Sequence, residues 1–199
     1  MLNSCVYNLN NIDFKYLNEN DFFIDTNVLF WYHYAFAKYN YNNIKIAEYQ
    51  KKYPEFIEQF IEKNKNLFTS SINLSELFYR IEMTEYKLYK KNNNNPSLKL
   101  KDYRNIEVER NKLKKTLNAI YKEIKNLYTI KDINFTNNNL LEYINEMSTH
   151  KCDVYDHAIL SFIKSKKLLN VISDDSDFTS ISGINVYTLN NKAIKNNNS

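Results

Sequence analysis

The sequence predicts an α/β fold, a mainly parallel sheet with helices on both faces, plus an inserted helical hairpin. Three observations predict it. Short apolar runs of strand length alternate with amphipathic stretches in the first and last thirds of the chain, the texture of strand–crossover–strand units. Residues 77–127 break that rhythm with a helical seam. Acidic residues recur just after the strand-like runs, where open parallel sheets bind ligands.

In chain order, residues 1–20 are polar and read as an entry segment. Phe22, Phe23 and Ile24 form a short apolar run closed by Asp25, Thr26 and Asn27, a buried strand followed by cap residues that open a helix at Val28. Residues 44–63 read as helical, with Pro54 early in a new helix. Leu67 to Ser70 is a second strand. Asn73 or Ser71 then caps a helix carrying Leu74, Leu77, Phe78 and Ile81 on one face. The run Asn92 to Pro96 is a loop. A long helix follows, about residues 104–127. There Ile106, Leu113, Leu117, Ile120, Ile124 and Leu127 repeat as a seam that needs a helical partner, and the helix with Leu77, Ile81 and Leu88 is the nearest. Residues 153–166 read as a helix, 168–173 and 184–188 as strands, and 191–199 as a disordered tail. One domain over 21–190 is expected.

Composition excludes several classes. The chain has 199 residues and 33 Asn, an excess that points to codon bias. Two cysteines, Cys5 and Cys152, cannot form a disulfide scaffold and read as free thiols. A single glycine, Gly183, cannot build a phosphate-cradling loop. No apolar run approaches a membrane span, and the N-terminus lacks a basic region followed by an apolar stretch, so no signal peptide and a cytoplasmic location are expected. The formal charge of +4 is unevenly spread. Residues 80–125 hold thirteen Lys and Arg against six Asp and Glu, a net of +7, which leaves the remainder negative.

Four acidic positions share one kind of place. Asp25 ends the first strand. Glu76 lies early in the helix after the second. Asp156 sits in the first turn of the helix opened by Asp153, and Asp174, Asp175 and Asp177 follow the strand through Val171 and Ile172. Brought together, such carboxylates raise each other's pKa unless a cation neutralises them. Oxygen-only ligation suits Mg²⁺ or Mn²⁺, one or two ions, and a two-ion site serves in-line displacement at a phosphodiester. Zinc is not expected, because no His or Cys occupies these positions. A pocket this acidic repels nucleic acid, so the basic hairpin is its complement, with Lys112, Lys115 and Lys122 as candidate RNA contacts.

At these residues the chain resembles the PIN-domain ribonucleases. The segment Phe23 to Leu29 is similar to the family's opening motif, Thr69 to Leu77 to the second, and Tyr155 to Leu160 to the third. Val171 to Phe178 is similar to the closing pattern of strand, Thr or Ser, any residue, Asp, any residue, Asp, Phe. The motifs cover about residues 22–190, in order. The resemblance implies a PIN-like fold and Mg²⁺- or Mn²⁺-dependent RNA cleavage. It also implies a role as the toxin of a VapC-type toxin–antitoxin pair, with an antitoxin partner and a homodimer. Asp25, Glu76, Asp156 and Asp175 would be the core acids and Asp177 a fifth at the rim. Thr26 would hold a water or phosphate, Asn27 would brace the acidic turn, and Asp153 would cap its helix behind Asp156. The hairpin is longer than in VapC-type toxins.

Blander readings stand beside these. Asp25 and Asp177 are also cap residues, and Asp174, in the variable position of its motif, is expected to face solvent. His33, His150 and His157 have no ligand spacing and read as structural. Trp31 to Tyr34, with Tyr39 and Tyr41, read as core or dimer interface rather than as a base-stacking platform. The alternatives to a ribonuclease are an inactive PIN-like module that binds RNA or protein, and a structure-specific DNA nuclease.

Overall fold

A computed structural model describes residues 5–35, 44–147 and 152–196. Its centre is a six-stranded sheet in which every pairing is parallel, ordered β1-β6-β5-β2-β3-β4. The strands are β1 (Cys5–Asn8), β2 (Asp21–Ile24), β3 (Asn66–Ser70), β4 (Thr129–Lys131), β5 (Asn170–Ile172) and β6 (Asn185–Thr188). From β2 the chain steps outward to β3 and β4, then returns to lay β5 against the other side of β2. The crevice beyond the carboxyl end of β2 is therefore a topological switch point, the usual ligand position in such sheets.

Period-two alternation explains the two covered faces. Phe22 and Ile24 of β2, Ile172 of β5 and Tyr187 of β6 point into one core, and Phe23, Val171 and Val186 into the other. The first core is closed by α1 (Thr26–Phe30), a π-helical turn at Trp31–Ala35, α2 (Ile44–Glu62), α3 (Ser71–Asn92) and α5 (Glu107–Leu127). The second is closed by α7 (Val154–Ser165) and by Phe178 and Ile181. Short α4 (Leu100–Arg104), α6 (Asn137–Glu146) and α8 (Asn191–Asn196) complete the helices. The α/β reading with helices on both faces holds.

Several local readings change. Residues 5–8 are not merely polar entry but an edge strand paired with β6, anchored by fully buried Leu9. β4 is a strand the sequence reading did not contain. Pro54 lies inside one continuous helix, because the stripe Tyr49, Tyr53, Ile57 and Phe60 stays buried on both sides of it and offsets the lost backbone bond. The expected disordered tail is corrected over 191–196. The Asn190 side chain accepts from the Lys192 N–H at 3.1 Å and opens α8, whose Ala193 is buried. Residues 197–199 lie outside the described residues.

The hairpin consists of α3 and α5, with α4 at its tip. Leu113, Ile120 and Ile124 are buried along the seam together with Leu77 and Ile81, while Leu127 is exposed. Tyr103 of α4 inserts between Tyr86 and Tyr89, each with its ring centroid 5.5 Å away. Glu82, midway along α3, is held by Arg104 (2.6 and 2.9 Å) and Arg110 (2.6 Å). Hydrogen bonding from Arg104, with both guanidinium charges, lowers its carboxyl pKa although burial opposes the shift.

Candidate active site

Asp25, Glu76 and Asp175 converge at the switch point because each follows a strand end, and Asp156 joins them from the first turn of α7, which follows helix α6. β2 stops at Ile24, and Asp25 becomes the N-cap of α1, its Oδ1 accepting from the Thr26 N–H at 2.7 Å. β3 stops at Ser70, whose hydroxyl accepts from the Asn73 N–H at 3.2 Å. Ser70 is thus the cap of α3 in place of Ser71 or Asn73, and one turn later α3 carries Glu76. Asp153 caps α7 in a reciprocal box. Its Oδ1 accepts from the Tyr155 and Asp156 N–H groups (2.8 and 2.9 Å), while Asp156 Oδ2 accepts from the Asp153 N–H (3.1 Å). After β5, the Ser173 hydroxyl accepts from the Asp175 N–H at 2.9 Å, and Asp175 Oδ1 accepts from the Asp177 N–H at 2.8 Å.

A cleft of about 550 Å³ lies over this edge. It is lined by Glu76, Asp153, Asp156 and Asp175 with Ser71, Ser75 and Tyr79 among their neighbours. Asp25 sits beneath, only 6 % exposed. Its pKa is pushed up to about 7, chiefly by burial, with the charges of Glu76 and Asp175 adding and hydrogen bonds from Ser173 and Thr26 opposing. Asp156 is pushed up to about 6 by burial, with Asp153, Asp175 and Glu76 adding to it. The four core acids therefore share one electrostatic environment. The Cys152 thiol is raised to about 12, first by burial and then by Asp156, Asp177, Asp175 and Asp153.

The residues that fix these acids were only partly visible in the sequence. Asn73 is fully buried. Its Nδ2 donates to Asp25 Oδ1 (3.3 Å) and Thr26 Oγ1 (3.1 Å), and its Oδ1 accepts from the Ser70 hydroxyl. Ser173 donates to Asp25 Oδ2 at 2.8 Å. Thr26, expected to hold water or phosphate, donates its hydroxyl to Glu76 Oε2 at 2.7 Å and so ties the first and second acids together. Asn27 Nδ2 stands 3.5 Å from Asp25 Oδ2, a weak brace, and its Oδ1 accepts from Arg80, whose guanidinium stacks 4.2 Å from the Phe30 ring centroid. Bracing thus falls to Asn73 and Ser173. Their signals were a polar residue three positions after the strand-end Ser70 and the Ser of the closing motif. A cap uses the same residue types, which hid the role.

Other candidates sit apart. Asp177 starts a 3₁₀ turn (Asp177–Ser180) and is not among the cleft-lining residues named above. Asp174 does not face solvent as expected. It is half-buried, and its charge raises the pKa of Tyr49 and Tyr53. Lys112, Lys115 and Lys122 are exposed on α5 away from the cleft, and Lys112 pairs with Glu109 at 2.7 Å. The His33 side chain is enclosed between Glu123 and Tyr128 (3.3 Å each), and His157 is buried 3.3 Å from Glu146. His150, Tyr39 and Tyr41 lie outside the described residues. Trp31 and Tyr34 are core, as read.

Among the described residues, no three His, Cys, Asp or Glu side chains form a ready-made metal-binding group. The side-chain donors that line the cleft are carboxylates and hydroxyls, all oxygen, the ligand type of hard divalent cations. Among the described residues no helix is long and apolar enough to cross a membrane. No family model matches the chain, and no curated protein matches it.

Proposed function

We propose that the protein is a metal-dependent endoribonuclease acting at the cleft beyond β2, β3 and β5. One observation carries the reading. Three carboxylates that follow strand ends, Asp25, Glu76 and Asp175, meet Asp156 from the first turn of α7 at the switch point, and two of the four, Asp25 and Asp156, have pKa values raised by burial and by the other acids. An arrangement that opposes its own ionisation calls for a positive partner. Asp25, Glu76, Asp156 and Asp175 would hold Mg²⁺ or Mn²⁺, with Asp177 as a rim contributor. When bound, such ions supply charge neutralisation and a lowered pKa for water at a phosphodiester.

The chain's own residues would do the following. Asn73 and Ser173 fix both oxygens of Asp25 in one orientation. Thr26 fixes Glu76. The capping box fixes Asp156 to the first turn of α7. Ser173 positions the backbone of Asp175. These contacts leave little side-chain freedom to lose when substrate binds, the condition for catalysis by positioning.

The resemblance extends the proposal to a toxin with a cognate antitoxin, working as a cytoplasmic homodimer. Growth arrest on expression, lost in Asp25→Asn and relieved by a neighbouring small gene product, supports the toxin role. Identical growth with wild type and Asp25→Asn contradicts it. A mass that stays monomeric at all concentrations in sedimentation contradicts the dimer. Parallel assays on RNA, single-stranded DNA and flap DNA test the substrate class, and preferential cutting of flap DNA would overturn the ribonuclease reading.

A further inference from the structure

The hairpin carries a second concavity, a groove of about 720 Å³ between α3 and α5. Its walls combine the aromatic rings of Phe78, Tyr79 and Tyr121 with the cations Arg104, Arg110 and Lys114. Tyr79 lines both this groove and the acidic cleft, so the two concavities meet at one side chain. Tyr79 and Tyr121 are 55 % and 42 % exposed, far more than the seam residues beside them, so their rings are presented to solvent. The Phe78 and Tyr121 rings pack edge to face with centroids 6.5 Å apart, which supports Tyr121 from behind. Glu82 holds the guanidinium groups of Arg104 and Arg110 and neutralises one charge, so the four charged groups keep a surplus of two positive charges.

We infer that this groove is the path of single-stranded RNA leading away from the acidic cleft. The inference rests on the nuclease reading of the cleft and names the form of its substrate. Single-stranded nucleic acid is held by cations along the backbone and aromatic faces under the bases, and both are here on one surface. The carboxylates at the cleft repel phosphate, so the strand needs a positive stretch immediately beside them, and the groove is that stretch. A duplex keeps its bases stacked on one another and cannot use Tyr79 and Tyr121. An acidic peptide would find the cations but has no use for the exposed rings. Lys112, Lys115 and Lys122 do not line the groove, and Lys114 does, which moves the basic contact around α5.

The test uses a labelled oligouridylate and the full chain in EDTA, read by fluorescence anisotropy, with circular dichroism confirming the fold of each variant. Wild type is expected to bind the single strand about tenfold more tightly than a duplex of equal length. Tyr79→Ala and Tyr121→Ala are each expected to weaken binding about 5- to 20-fold. Lys114→Ala is expected to weaken it a few-fold and reduce the salt slope by about one. Lys51→Ala, at an exposed position of α2, leaves binding unchanged. Unchanged binding in the Tyr79, Tyr121 and Lys114 variants overturns the inference. So does equal affinity for duplex, displacement by polyglutamate, or sensitivity to Lys115→Ala and Lys122→Ala in place of Lys114→Ala. A parallel cleavage assay in Mn²⁺ separates the two ideas. Weakened binding in the variants with no cleavage by wild type retires the nuclease reading and keeps the groove. Cleavage by wild type with unchanged binding in the variants does the reverse.

Discussion

Asp25 is caught between two demands. As the buried cap of α1 it accepts from Thr26, Asn73 and Ser173, and its pKa of about 7 means that folding favours the protonated form. Replacing it with Asn removes the buried charge and keeps a cap. Asp25→Asn is therefore predicted to reduce RNA cleavage by at least about 10³-fold while raising stability by about 1–2 kcal/mol at pH 8, a stability gained at the expense of function. Thermal melting and a cleavage time course on the same preparation check both halves. Asn73→Ala behaves in the opposite way. It removes one of the two donors to Asp25 Oδ1, which keeps the Thr26 N–H, and takes the acceptor from the buried Ser70 hydroxyl proton, so it is predicted to lose about 1–3 kcal/mol of stability together with activity. Denaturant melts test this, and an Asn73→Ala protein as stable as wild type would show that the network carries no load.

The same residues set a pH dependence with a definite sign. Asp25 has a folded value of about 7 against an ordinary 3.8, and Asp156 a folded value of about 6. Both contribute stability that is fully present below about pH 4 and lost as pH rises through those values. Melting of the metal-free protein is predicted to occur at lower temperature at pH 8 than at pH 5.5, and Mn²⁺ is predicted to flatten that slope by favouring the ionised forms. A metal-free melting temperature that rises from pH 5.5 to pH 8 contradicts the assignment.

At the scale of elements, the hairpin depends on Glu82. Its carboxyl pKa is lowered by Arg104 and Arg110, so its contribution is present above the ordinary carboxylate range and lost as pH falls through the folded value. Both arginines are half-exposed, which screens the pair. Glu82→Gln is predicted to cost about 1–2 kcal/mol at pH 7, and a cost that shrinks as pH falls below the ordinary carboxylate range, read by denaturant melts over a pH series. The elements also show what was legible in the sequence. β2 and β5 were readable because their buried residues Phe22 to Ile24 and Val171 to Ile172 run apolar, β3 because of the apolar pair Leu67 and Phe68, and the α5 seam because Leu113, Ile120 and Ile124 recur at helical spacing. β1 and β4 were not, because edge strands with half-exposed side chains carry no such pattern. Pro54 misled because local propensity marks a helix start, and only the burial of Tyr53 and Ile57 beside it shows the helix running on. Asp25, Glu76 and Asp175 were found by their place after strands, and Asp156 by its place in the first turn of a helix. Asn73 and Ser173 were passed over because a buried polar bridge is defined by partners far apart in sequence.

For the whole molecule, one topological fact organises the rest. Returning β5 to the far side of β2 places Asp25 between the ends of β3 and β5, so that Glu76 and Asp175 approach it from either side and Asp156 follows on α7. The overall charge of +4 then divides in space as well as in sequence, with carboxylates at the switch point and an adjoining groove bearing Arg104, Arg110 and Lys114. The most direct test is cleavage of a mixed RNA pool by wild type, Asp25→Asn and Asp175→Asn, each in Mn²⁺ and in EDTA, with Mn²⁺ binding followed by calorimetry. The account predicts cutting by wild type in Mn²⁺ alone, Mn²⁺ binding by wild type, and loss of cutting in both variants. Wild-type rates in either variant, or neither cutting nor Mn²⁺ binding by wild type, would contradict it.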